Sequence, residues 1–152
     1  MRPMIIFIIM TTVISCADDD DTGGSPYSPP DEILLRIAAF TAQNGSNISG
    51  QVEVWKKNSN GEEMLKLLND FNLSGVSGTI QFWLTDDIGS NNLTASTKKV
   101  LVDSLISNYS GSHIFDIPSG YTVTDFKYLI AFMVNGAHHI GKAQLLLPLP
   151  SG

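Results

Sequence analysis

The sequence predicts an all-β domain, an antiparallel β-sandwich of about seven or eight short strands, preceded by an export segment and a flexible linker. From Gly50 onward apolar residues recur at every second position in short runs, and clusters of Gly, Asn, Ser and Pro separate the runs. Residues 128–134 are apolar on both faces of an extended chain. Leu129, Ala131 and Met133 fall on one side, and Tyr128, Ile130, Phe132 and Val134 on the other, which is the pattern of a strand in the middle of a sheet. A chain of 152 residues that is 43% hydrophobic, with two Trp and seven Phe, has material for one core, and so for one domain plus a leader.

The leader comes first. Residues 1–16 open with one positive charge at Arg2, continue through the apolar run MIIFIIM and end in Val13-Ile14-Ser15-Cys16. The run is too short for a mature transmembrane helix and reads as an export signal, the alternative being an uncleaved anchor with a chance cysteine. Its ending, aliphatic-x-small-Cys, resembles the lipobox of bacterial lipoproteins, in which signal peptidase II cuts before the cysteine and the thiol carries a diacylglycerol. That resemblance implies a lipoprotein signal peptide over 1–15 and lipid attachment at Cys16. Palmitate-like acyl chains would then hold the protein on a membrane, each buried methylene contributing roughly 0.8 kcal/mol. Residues 16–30 continue with Asp18, Asp19, Asp20 and Asp21 and then Gly, Ser and Pro without apolar periodicity, the composition of a solvated tether. Like charges by themselves keep such a linker extended. Acidic residues directly behind a lipidated cysteine also resemble the surface-export signal of one group of Gram-negative bacteria.

The folded domain is expected over 31–152. Residues 31–42, DEILLRIAAFTA, are ambiguous: Asp31 suits a helix cap and Glu32 its first turn, yet the apolar residues fit no clean period, so a short helix or a strand is expected. Val52 and Val54 alternate with Glu53 and Trp55, and Asn58-Ser59-Asn60-Gly61 supplies a turn in which Gly61 takes positive φ. A second strand over about 63–68 completes a hairpin. Residues 79–85 alternate again, with Ile80, Phe82 and Leu84 inward and Trp83 outward. A polar loop over 86–97 leads to a strand over 98–105, and His113, Phe115 and Ile117 alternate until Pro118 ends the run. After the central strand, Asn135-Gly136 breaks the pattern, and Ala143, Leu145 and Leu147 resume it with Lys142 and Gln144 on the opposite face.

Charge and cysteine content exclude several functions. Fifteen acidic residues against nine basic give a net charge of −6, and the densest basic sites are the pairs Lys56-Lys57 and Lys98-Lys99, so no nucleic-acid partner is expected. The single cysteine, Cys16, rules out an intramolecular disulfide, a CxxC redox pair and a cysteine-rich metal site.

Taken together, residues 40–145 resemble the DM-thirteen domain, a β-rich extracellular module of animal and bacterial secreted proteins. The stretch from Gly45 to Val54 resembles its opening Gly-rich turn and first strand, and Asn69-Asp70-Phe71 followed by 78–84 its phenylalanine-then-strand block. Gly111, Phe115, Ile117 and Pro118 resemble its glycine, aromatic and Ile-Pro signature. Thr124-Asp125-Phe126-Lys127-Tyr128 leads into the central strand, and Gly141, Ala143 and Leu145 resemble the closing glycine-x-alanine-x-leucine. In that family the central strand typically carries a cysteine just after an aromatic residue, on which a proposed role in electron transfer or haem ligation rests. Here Phe132 is followed by Met133. A thioether forms no thiolate, sulfenic acid or disulfide, which excludes thiol redox chemistry at this position. It still ligates haem or copper.

Other residues offer chemistry in fragments. His138 and His139 lie in a loop or bulge over 135–140 near Met133, and in an extended chain their side chains point to opposite faces. His113, on the inward phase of its own strand, is placed to approach them. With Met133 these are the metal candidates, but no His-x-His, HExxH or carboxylate cluster accompanies them, and a methionine also fills cores and a histidine also stands at a surface without binding anything. Asp86, Asp87, Gly89, Asn91 and Asn92 offer oxygen ligands for Ca²⁺ at a spacing that fits no EF-hand. No serine sits in GxSxG or SxxK and no phosphate-binding glycine loop follows a strand. Asp103-Ser104-Leu105 resembles the O-glycosylation site of the bacterial group that uses acidic export signals, making Ser104 a candidate for modification.

The resulting expectation is a lipoprotein held in the cell envelope by its diacylglycerol, at the outer membrane or cell surface. It is a non-catalytic binding module for an unidentified envelope protein or ligand, without a cofactor. The alternative is an electron-transfer carrier binding haem or copper through Met133 and a histidine. A small hydrolase is a third possibility without a supporting motif.

Overall fold

The computed structural model describes residues 31–87, 93, 98–106 and 108–150. The signal segment, Cys16 and the acidic tether lie outside the described residues, as do Gly89, Asn91 and Asn92 of the proposed Ca²⁺ loop. The described chain is all-β. Its strands are β1 (Glu32–Ala42), β2 (Asn47–Ser49), β3 (Gln51–Lys57), β4 (Glu63–Leu67), β5 (Asn72–Ser74), β6 (Thr79–Thr85), β7 (Lys99–Ile106), β8 (His113–Asp116), β9 (Tyr128–Met133) and β10 (His138–Gln144), and a 3₁₀ turn at Val123–Asp125 precedes β9.

Eight strands form one antiparallel sheet in the order β7-β6-β9-β10-β1-β3-β4-β8. The edge strands β7 and β8 approach each other, so the sheet coils into a nearly closed barrel whose opposing walls are the two layers of the expected sandwich. β2 and β5 form a separate two-stranded sheet, and neither three-residue strand stands out in the sequence.

The ambiguous segment 31–42 is β1, and pairing decides it. β1 lies antiparallel to β3 over most of its length and to β10 from Phe40 to Ala42, so both of its edges are used and it joins the two halves of the sheet. Two satisfied ladders outweigh a weak local helix signal. The 51–67 hairpin forms as expected: Val52 faces Leu67 and Trp55 faces Met64, and Gly61 closes the turn at φ 75°. In β6, Ile80, Phe82 and Leu84 are buried inside, and the outward Trp83 is half-buried with its indole N–H donating to Gln81 Oε1 at 3.2 Å.

Gly50 turns the chain from the small sheet into the large one. Its φ of 113° is closed to L side chains, and a Cβ there would lie 2.8 Å from the Phe71 backbone nitrogen. This close approach seats Phe71 in the core beside Phe40 and Phe82, with ring centroids 5.7 and 6.1 Å away, while Phe82 lies 5.2 Å from Phe115. These four rings, drawn from β1, β6, β8 and the residue just before β5, fill the barrel.

β9 is central, hydrogen-bonded to β6 and β10, and Leu129, Ile130 and Ala131 are all fully buried. Ile130 faces away from the main core, opposite Trp83 and Lys142, which explains the apolar pattern on both faces. One expectation fails at the C-terminal end. Leu145 is in the core, but β10 stops at Gln144 and Leu147 is 70% exposed. Pro148 and Pro150 have no N–H with which to continue a ladder.

Candidate functional site

The chemistry-bearing residues meet at the tip of the β9–β10 hairpin. Residues 134–137 form its turn, with Ala137 at φ 47°, and Val134 N–H donates to Thr79 O at 3.1 Å, which ties the tip to β6. The register pairs Met133 with His138 and Phe132 with His139, followed by a bulge between His139 and Gly141. Directly opposed residues in an antiparallel ladder share a face. Met133 and His138 therefore stand together on one face, and Phe132 and His139 on the other.

On the first face, Met133 is half-buried and packs against the core. The Met133 methyl and the Cε1–Nδ1 edge of His138 both lie over Gly136, where a Cβ would collide with them. His138 Nδ1 is 2.9 Å from Gly136 O. They open onto a cavity of about 210 Å³ at the barrel rim, whose lining also includes Asn44, Ser46, Ser77 and Ile140. The β1–β2 loop clamps this wall in place. Gln43 N–H and the Ser46 hydroxyl donate to Ile140 O, and Asn44 Nδ2 donates to His139 O at 2.7 Å. Asn44 at φ 53° and Gly45 at φ 74° give the loop its tight reversal.

On the opposite face His139 is buried, its ring 5.9 Å from that of Phe132 in an edge-on arrangement. Burial, with a smaller contribution from repulsion by His138, lowers its pKa. Nε2 of His139 is buried without a hydrogen-bond partner.

The other predicted residues lie elsewhere. His113 is opposite Leu67 on β8 and packs on Phe115 and Tyr109, with ring centroids 4.6 and 5.5 Å away. Among the described residues, no group of three or more His, Cys, Asp or Glu is placed to hold a metal ion. Ser104 is exposed on β7, where its N–H donates to Asp103 Oδ1 at 2.6 Å. Asp86 pairs with Lys98 across the mouth of its loop, Oδ1 accepting from Lys98 N at 3.2 Å. Asn44, Ser46 and Ser77 escape sequence reasoning, because they read as loop residues and nothing in their spacing brings them to position 138.

Residues 39–145 match the family model described as Electron transfer DM13. The chain belongs to the Electron transfer DM13 family. No curated protein and no solved structure matches it. The DM13 span begins within β1 and ends one residue past β10, so it takes in the barrel and the β9–β10 hairpin. Within it, the position after Phe132, where the resemblance places a cysteine, carries the Met133 thioether, with His138 directly opposite.

Proposed function

We propose that this DM13 protein is a diacylglycerol-anchored lipoprotein of the cell envelope, at the outer membrane or cell surface, and that its barrel is a non-catalytic binding module. The anchor rests on the apolar run before Val13-Ile14-Ser15-Cys16 and on the acidic tether behind it. The binding role rests on one observation: Met133 and His138 open together onto a cavity at the rim, braced by the β1–β2 loop.

The family's description, together with this Met–His pairing, supports a second reading as an electron carrier, since both side chains ligate haem and copper. The cavity of about 210 Å³ is small for a macrocycle, given that organic-cofactor sites typically run ~300–1,000 Å³.

One preparation tests both parts. The full chain is expressed in a Gram-negative host with haem and copper supplied, fractionated, and its visible spectrum recorded before and after dithionite. The wild type is expected in the membrane fraction with metabolically incorporated palmitate and Cys16→Ser without that label, with no visible band in either. Equal palmitate labelling of the wild type and Cys16→Ser, or none in the wild type, refutes the lipid anchor. A Soret or copper band that shifts on reduction and is lost in Met133→Ala refutes the binding-module reading in favour of the carrier.

A further inference from the structure

We infer that the rim cavity binds a single monovalent copper ion, held by the Met133 thioether sulfur and Nε2 of His138. This deepens the binding-module reading and rests on it. The first argument is the tautomer of His138. Its Nδ1 lies 2.9 Å from Gly136 O, and a carbonyl only accepts, so Nδ1 carries the proton and Nε2 carries the ring's lone pair. A backbone carbonyl that fixes one ring nitrogen and leaves the other for a metal is the usual outer-shell arrangement of ligating histidines.

The second argument is the donor set. A thioether is a soft, neutral ligand that holds copper(I) and contributes little to harder ions. Zinc would require about four His, Cys or carboxylate ligands and Ca²⁺ about six or more oxygens. Among the described residues no cluster of three His, Cys, Asp or Glu provides either, whereas copper(I), a soft ion, accepts thioether and imidazole donors at low coordination number. Neutral Asn44, Ser46 and Ser77 complete the wall, so no lysine or arginine opposes a cation there.

The third argument is preorganisation. Hydrogen bonds from Gln43, Asn44 and Ser46 hold the His139 and Ile140 carbonyls, and Val134 is tied to β6, so both ligands project from a braced hairpin. Gly136 lies directly beneath both side chains. A Cβ there would drive into the Met133 methyl and the His138 ring.

The test is a copper(I) titration of the full chain carrying Cys16→Ser, which removes the competing thiol, under ascorbate with a bathocuproine disulfonate competitor. One ion is expected to bind per chain. Met133→Leu, His138→Gln and Gly136→Ala should each weaken binding at least tenfold, and His113→Gln should not. Thermal melts of the metal-free variants establish that each is folded, and Met133→Leu keeps the side-chain volume. No binding by the folded parent, or equal affinity in the parent, Met133→Leu and His138→Gln, overturns the proposal. Copper(I) is colourless, so this failure leaves the fractionation and spectral outcomes of the binding-module reading unchanged, and the two are distinguishable.

Discussion

Phe82→Ala tests whether the ring cluster holds the barrel closed. Phe82 is fully buried on β6, with ring centroids 6.1 Å from Phe40, 6.1 Å from Phe71 and 5.2 Å from Phe115, and so touches the rings contributed by both halves of the sheet. Truncating a buried Phe to Ala costs ~3–5 kcal/mol through lost transfer energy and the cavity left behind. The edge-on pairs add ~0.5–1.5 kcal/mol each where the neighbours cannot relax. The ladders of β6 with β7 and β9 restrict collapse of the site, which places the expected loss near the top of the range, about 4–5 kcal/mol. Against a total stability of ~5–15 kcal/mol, such a loss moves the urea midpoint far down without changing the slope. Urea unfolding followed by tryptophan fluorescence, with Trp83→Phe as the outward-facing control on the same strand, measures it. A loss below about 2 kcal/mol would mean that the rings do not brace the barrel, because that is too small for a fully buried ring truncated in a rigid core.

Gly50→Ala should destabilise by about 2–4 kcal/mol, since it combines a forbidden φ with a backbone clash at Phe71; urea unfolding reads it, and a loss under 1 kcal/mol contradicts the corner geometry. Gly141→Val should cost ~1–3 kcal/mol by overpacking against Ile48 and Phe40, seen as a lower melting temperature. The metal-free protein should lose stability on acidification through His139. Its folded pKa is lowered from 6.5, so below that value the unfolded chain binds more protons, and stability falls as pH drops from about 6.5 until the pH passes the lowered folded value. Comparing wild type with His139→Gln at pH 7.5 and pH 5 isolates this component, and a difference of opposite sign would refute it.

Much of the fold is legible in the residues themselves because a strand's period of two is local. Ile80, Phe82 and Leu84 announce their inward face, Gly61 its turn, and the double-sided apolar run 128–134 its central place. Residues 32–42 are less legible. Their weak periodicity left helix and strand open, and only partners on both sides, β3 and β10, decide for a strand. Leu147 shows the opposite limit, where an alternation persists in the sequence after the ladder has ended.

The candidate site divides in the same way. Residue identity alone names the candidates, Met133 and the three histidines, and shows that His138 and His139 face apart in an extended chain. It also determined that no thiol stands after Phe132. Which histidine joins Met133 was a tertiary decision. Along an unbroken extended chain, Met133 would share a face with His139, because their separation is even. The turn over 134–137 instead folds the strand back so that His138 lies opposite Met133, and His139 goes to the other face. The side-chain period is a property of the chain, but the pairing register is set by turn geometry and by contacts with β6 and the β1–β2 loop, which are distant in sequence.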